Sequence, residues 1–302
     1  MNHAAERPNL SPRPASPIRG TVGMVHVAAL PGTPRAQLEP AAIVAQAVRE
    51  ARILDEAGFD AIIVENMHDR PYLMDGIGPE IVACMAAVCA AVRAAVAHRP
   101  LGIQILGGGS HEALAVAHAT GFDFVRAENF VFAHVADEGL MAQAAAGPLL
   151  RARRAMGAGR VRILADIKKK HASHAMTADL DVAACARAAE FFLADGVIVT
   201  GTETGAPVDL PELRAVREAT ALPVLTGSGA DAGTVRGLLQ HADAVIVGSS
   251  IKVDGRWENP VDPERAAAFV AAARGAGGAA GAGAAPTDAP GMSAVRAVLG
   301  RH

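Results

Sequence analysis

From about residue 18 to residue 274 the chain alternates two textures. Short runs dense in Val, Ile and Leu recur: TVGMVHV from Thr21, DAIIVEN from Asp60, LGIQIL from Leu101, FDFVRAEN from Phe122, VRILADI from Val161, DGVIVTG from Asp195, LPVLTGSG from Leu222 and DAVIVGSS from Asp243. Between them lie longer Ala-rich stretches, such as AAIVAQAVREARILDEAG from Ala41 and DLDVAACARAAEFFLA from Asp179, with apolar residues at helical spacing. Runs with little polar alternation suit parallel strands covered on both faces, and eight strand–helix units suit closure into a (β/α)8 TIM barrel, an α/β fold. An open doubly wound sheet is the alternative, but the Gly-rich fingerprint of its first strand is missing.

Two stretches fall outside the alternation. MNHAAERPNLSPRPASP, residues 1–17, reads as a flexible N-terminal tail, and residues 275–302 open with the low-complexity run GAGGAAGAGAAPTDA, which buries too little surface to offset the entropy of ordering. The expected organisation is one barrel domain over 18–274 with disordered tails on both sides.

In such a barrel the carboxyl ends of the strands carry the chemistry, because that face holds the active site. His26 ends the first run, Glu65 and Asn66 the second, Gln104 lies in the third, and Arg126 and Glu128 end the fourth. The fifth run ends in LADIKKKH, where a buried strand meets Asp166, three lysines and His171. Strand alternation puts Asp166, Lys168 and Lys170 on one side if the strand persists that far, with Lys169 and His171 on the other. A carboxylate beside two ammonium groups can hold a lysine charged or, with burial, lower its pKa for proton transfer or Schiff-base work. Asp166, Lys168, Lys170 and Glu65 are therefore the expected catalytic residues, and His26, Asn66, Gln104, Arg126, Glu128, His171 and Thr200 the expected substrate contacts; a solvated loop is the plain alternative for the lysines.

Glycine and serine cluster after the last runs. TGSGADAGTV from Thr226 and GSSIK from Gly248 suit the two loops where many barrels hold a phosphate on backbone N–H groups. Gly227, Ser228, Gly229, Gly248, Ser249 and Ser250 are the expected phosphate ligands, with Gly201 in TGTETG extending the cradle. His26, Glu65, Glu128, Asp166 and His171 would also suit a divalent ion such as Mg or Mn, but at no diagnostic spacing, so no metal or cofactor is assigned.

Composition narrows the partners. With 28 basic against 31 acidic residues and a formal charge of −3, no strong field draws the chain to nucleic acid, and a small molecule is the expected ligand. No run reaches the length of a membrane span, and residues 1–17 hold no signal-like apolar stretch. Three cysteines at no metal spacing suit reduced thiols. A cytoplasmic protein is expected, self-associating as phosphate-binding barrels often do.

Several ordered blocks resemble one family. GMVHVAALPGTPR from Gly23, LADIKKKH, LADGVIVTGTETGAP from Leu193 and ADAVIVGSSIKVDGRWENPVDPER from Ala242 are similar to the BtpA/SgcQ family over about residues 20–272. The resemblance implies a TIM barrel of the ribulose-phosphate-binding type with a phosphate site in its last two loops. One branch of that family is named for photosystem I biogenesis and another sits among sugar-utilisation genes. Asp166 and Lys168 also resemble the Asp-x-Lys motif of phosphate-binding decarboxylases. The implied activity is an enzyme acting on a small phosphorylated metabolite, a sugar phosphate or nucleotide-derived compound, by proton transfer or carbon-bond cleavage. A non-catalytic assembly factor and a metal-dependent hydrolase are the alternatives.

Overall fold

The structure, a computed structural model, describes residues 18–201 and 205–275. Apart from Gly275, both expected tails lie outside the described residues, as does part of the TGTETG loop. In chain order the elements are β1 (Gly20–His26), α1 (Pro40–Ala57), β2 (Ala61–Glu65), α2 (Pro79–Ala95), β3 (Leu101–Gln104), α3 (Ser110–Thr120) and β4 (Phe124–Ala127). Two short strands follow, β5 (His134–Ala136) and β6 (Gly139–Met141), then α4 (Ala146–Ala155), β7 (Arg162–Ile167), β8 (Ala172–Ser173), α5 (Val182–Phe191), β9 (Gly196–Val199) and α6 (Leu210–Ala219). The last described elements are β10 (Val224–Thr226), the one-turn α7 (Val235–Leu238), β11 (Ala244–Val247) and α8 (Pro263–Arg274).

Eight parallel strands close in the order β1-β2-β3-β4-β7-β9-β10-β11, with β11 pairing back to β1. This is the (β/α)8 barrel that the alternating runs predict. An addition the runs do not reveal is a small antiparallel sheet, β6-β5-β8, built from the loops after the fourth and fifth barrel strands. Its strands are two or three residues long, too short to leave a period.

The core divides in two because strand side chains alternate between faces. Outward residues such as Val25, Ile62, Val64, Ile103 and Val125 pack under the helices, while Val22, Met24, Ile63, Phe124, Leu164, Ile198, Leu225 and Ile246 fill the barrel. The interior is packed solid: Phe124 occupies the space that a side chain on Gly102 would need, with its ring carbon 2.1 Å from where a Cβ would sit. No described helix is long and apolar enough to cross a membrane.

An ion pair is buried in this scaffold away from the mouth. The fully buried Lys252, in the segment after β11, donates to Glu50 of α1 at 2.7 Å and ties that segment to the first helix. Burial makes the pair costly to break from one side, because the survivor is left as an unpaired charge. Lys252→Met is therefore expected to lower unfolding free energy by about 3–5 kcal/mol. The double variant Lys252→Met with Glu50→Leu should recover most of that loss. Urea unfolding of both variants checks the pair, and equal loss in single and double variants would contradict it.

Candidate active site at the barrel mouth

Two residues above each apolar interior position, the same alternation brings the next inward side chain to the mouth. Met24 leads to His26, Ile63 to Glu65, Gly102 to Gln104, Phe124 to Arg126, Leu164 to Asp166, Ile198 to Thr200, Leu225 to Gly227 and Ile246 to Gly248. Register sets His26 beside Glu65 and Glu65 beside Gln104. One arc of this ring is polar and ionisable, and the other arc is glycine.

The polar arc is wired by charge. Arg126 Nε donates to both oxygens of Asp166, at 3.2 and 3.0 Å, with both side chains buried. Burial works against the Arg126 cation, but the Asp166 and Glu65 carboxylates more than offset it and raise its pKa. Glu128 accepts from Gln104 Nε2 at 3.0 Å and from Lys169 Nζ at 2.6 Å, and Glu138 lies 3.7 Å from the same ammonium.

The end of the fifth barrel strand corrects the simple alternation. β7 stops at Ile167, and Lys168 and His171 adopt left-handed φ of 44° and 55°, so Asp166, Lys168 and Lys170 do not share a side. Lys168 turns away from the mouth, its Nζ 3.4 Å from the carbonyl of Thr177, and lines a small cavity with Phe132 and Cys185. Lys169 becomes the buried partner of Glu128. Lys170 alone of the three faces the main cavity, and among the described residues it has no ion pair within 4 Å. Asp166 is spent on Arg126 and does not line that cavity.

Three other expected contacts are also structural. Asn66 donates to Asp69 at 2.8 Å and accepts from the backbone of Leu106 at 2.7 Å, which holds the loop after β2 rather than facing the mouth. Thr200 Oγ1 accepts the N–H of Lys170 at 3.0 Å and steadies that residue. The N–H of Gly201 donates to Ser228 Oγ at 2.6 Å, and so is not a free phosphate donor.

The glycine arc opens a cavity of about 380 Å³. Gly227, Ser228, Gly229, Gly248, Ser249 and Ser250 line it, facing His26, Glu65, Arg126 and Lys170. Gly229 has φ +66°, and a Cβ there would fall 2.1 Å from the carbonyl oxygen of Ala206, so only glycine fits. Ser228 and Ser250 donate to the carbonyls of Ala206 and Ala230, tying neighbouring loops into one wall. Arg265, at the start of α8 where Asp262 caps the helix, lines the same cavity. Its position two residues inside a helix start gave no sign of this.

Around this cavity burial moves three pKa values. Desolvation, helped by Lys252, pulls His26 well below its ordinary value, desolvation raises Glu65, and desolvation and then Arg126 lower Lys170. His26 Nδ1 lies 2.9 Å from the carbonyl oxygen of Trp257, which can only accept, so Nδ1 carries the proton. Neutral Nε2 then presents a lone pair 3.9 Å from Glu65. Of the carboxylates weighed as metal ligands, Asp166 holds Arg126, Glu128 holds Lys169 and Glu65 lies 3.9 Å from His26; His171 lies 3.8 Å from Asp137, and among the described residues no three His, Cys, Asp or Glu side chains are grouped to hold a metal ion.

Comparison with known proteins adds family and fold. The model of the BtpA family matches residues 18–275. A mitochondrial protein of Caenorhabditis elegans is 46% identical over 252 residues, covering 82% of this chain and 90% of that one. Photosystem I biogenesis protein BtpA of Synechocystis is 37% identical over 252 residues, 83% of this chain and 86% of the relative. Among solved structures, orotidine 5'-phosphate decarboxylase from Pyrococcus horikoshii superposes with a TM-score of 0.53 at 14% identity, over 84% of this chain and 99% of that one. Thiamine phosphate pyrophosphorylase from Pyrococcus furiosus gives 0.52 at 15%, over 86% and 98%. Identities this low establish a shared barrel and nothing finer.

The buried imidazole has a consequence for stability. A histidine whose folded pKa is depressed binds fewer protons folded than unfolded, so stability is full above the unfolded value near 6.5 and falls as pH drops from there toward the folded value. Glu65, raised on folding, acts with opposite sign just above its ordinary value near 4.5. Wild type should lose thermal stability between pH 7 and pH 5, and His26→Asn, which takes up no proton, should lose less. Parallel melting curves for the two would contradict the buried neutral imidazole.

Proposed function

The chain belongs to the BtpA family, and we propose that its barrel mouth binds a small phosphorylated metabolite and transforms it by proton transfer. One observation carries this reading: a single cavity is walled on one side by two Gly/Ser loops and on the other by His26, Glu65 and Lys170. The loops at 227–229 and 248–250, with the Arg265 guanidinium, supply the phosphate end. Two fold relatives are named for phosphorylated compounds, which agrees with that end of the reading.

At the other end the groups divide the labour. His26 Nε2, unprotonated and oriented through Nδ1, accepts a proton; Glu65 and Lys170, with pKa values displaced toward neutrality, donate one. Arg126, fixed by Asp166, stabilises negative charge that develops on the substrate. Such a set suits isomerisation or cleavage next to a carbonyl. The name of the Synechocystis relative favours a second reading, an assembly factor that binds a ligand without turning it over.

Screening phosphorylated sugars and nucleotides for turnover separates the two readings. With a substrate in hand, Lys170→Met is expected to reduce kcat/KM by roughly 100-fold or more, the ordinary worth of a positioned proton donor. Lys168→Met should stay within about threefold, because its ammonium faces away from the mouth. Arg265→Met should weaken binding of the phosphate end about tenfold, as the loss of a charge-assisted hydrogen bond does. Full activity in Lys170→Met removes the acid/base assignment, and absence of turnover across the panel favours the assembly factor.

A further inference from the structure

Lysine is scarce in this chain. It fills four of the 28 basic positions, Lys168, Lys169, Lys170 and Lys252, and arginine fills the rest. Three of the four nitrogens have a structural partner: Lys252 holds Glu50, Lys169 holds Glu128, and Lys168 Nζ lies 3.4 Å from the carbonyl oxygen of Thr177. Among the described residues Lys170 is engaged only through its backbone, whose N–H donates to Thr200 Oγ1 at 3.0 Å. Its root is fixed and its nitrogen is uncommitted.

That nitrogen stands at a junction. A second cavity of about 260 Å³, with Tyr72 and Trp257 in its walls, adjoins the main one, and the two share Glu65, Met67, Arg126 and Lys170. A ligand with its phosphate on the Gly/Ser loops and the rest of its carbon chain in the second cavity therefore passes Lys170 partway along its length.

Fixed positive charge at the junction is already supplied by Arg126, whose guanidinium does not lose its proton. A lysine beside it adds what arginine lacks, an amine that attacks carbon once its proton is gone. Desolvation and then Arg126 lower the Lys170 pKa, which enlarges the share of free amine. Among the described residues no carboxylate within 4 Å holds the proton in place.

We propose that Lys170 is a Schiff-base nucleophile and that the ligand of the mouth is a phosphorylated aldehyde or ketone. This rests on the reading above that the main cavity holds the phosphate, and goes beyond it by making the bond to the substrate covalent. The amine adds through its lone pair to the carbonyl carbon, and the π pair of the C=O bond moves onto oxygen. The nitrogen sheds one proton to His26 Nε2, and the oxygen takes one from the Glu65 carboxylic acid; both residues line the same cavity. His26 then returns its proton to the new hydroxyl, which departs as water while the nitrogen lone pair closes the C=N bond. A cationic iminium remains beside an ionised Glu65, with His26 neutral again and no co-reactant consumed. The iminium draws electrons from the adjoining carbon, which eases removal of its proton or cleavage of its next carbon bond.

Reductive trapping tests this. The full chain is incubated with glyceraldehyde 3-phosphate, dihydroxyacetone phosphate or ribose 5-phosphate, reduced with sodium borohydride, and read by intact mass and peptide mapping. At least one probe is expected to leave an adduct on Lys170, and inorganic phosphate at about ten times its Kd should cut the yield about tenfold by mass action. Lys170→Arg, which keeps the charge but forms no imine, should leave no adduct there, and Lys168→Met should keep the wild-type yield at Lys170. Mapping of the wild-type adduct places the nucleophile even where the Lys170 variant does not fold. Phosphate binding by isothermal titration without any adduct on Lys170 overturns the nucleophile and leaves the phosphate reading intact. So does an adduct spread evenly over Lys168, Lys169 and Lys170. An adduct on Lys170 in a chain that binds no inorganic phosphate overturns the phosphate reading and keeps the nucleophile. Neither adduct nor phosphate binding overturns both.

Discussion

A guanidinium cannot lose its charge to escape burial, and the ion pair of Arg126 with Asp166 is therefore the fixed point of the barrel mouth. Both side chains sit one layer above packed hydrocarbon, where an unpaired ion would cost several kcal/mol. Nε is committed to the carboxylate, which leaves the outer guanidinium nitrogens directed at the cavity beside Gly227. From that cation the neighbouring tendencies follow. It holds Glu65 below where burial alone would push it, and it helps lower Lys170. The acid/base character of the mouth is thus a property of the group and not of any residue in it.

The division of the ring into ionisable and glycine arcs has an energetic logic. Charged groups crowd onto the earlier strands, where Arg126 pairs with Asp166 and Glu65 lies beside His26. The last two strands contribute no side chain at that level and so leave the volume open. Holding that volume open requires backbone conformations such as that of Gly229, with serine hydroxyls spent on bracing loop to loop. Stability at this face is given up to keep a space, as is common where a fold supports a binding site.

How much of this was legible beforehand depends on how local the determinant is. The eight strands announce themselves because parallel strands under helices are apolar on both faces, and period two then carries His26, Glu65, Gln104 and Arg126 to the mouth. The same rule failed at Lys168, because alternation holds only while the backbone stays extended and a left-handed residue there reverses the facing. Asn66 resembled a site residue, yet its amide is consumed by Asp69 and Leu106, contacts that depend on a loop path no period encodes. Arg265, Tyr72 and Trp257 reach the mouth from a helix start and from loops far apart in sequence, and nothing in their local pattern marks them.

Trp257 is the chain's one tryptophan. Its carbonyl orients His26, its ring lies 5.1 Å from that of His68, and the Arg70 guanidinium sits 4.5 Å from its centroid. Selective excitation of indole therefore interrogates this one corner of the molecule and no other. Emission from the unmodified protein is an optical signal confined to the barrel mouth, and it responds to a change in the charge or packing of that corner without a label, a dye or an added fluorophore.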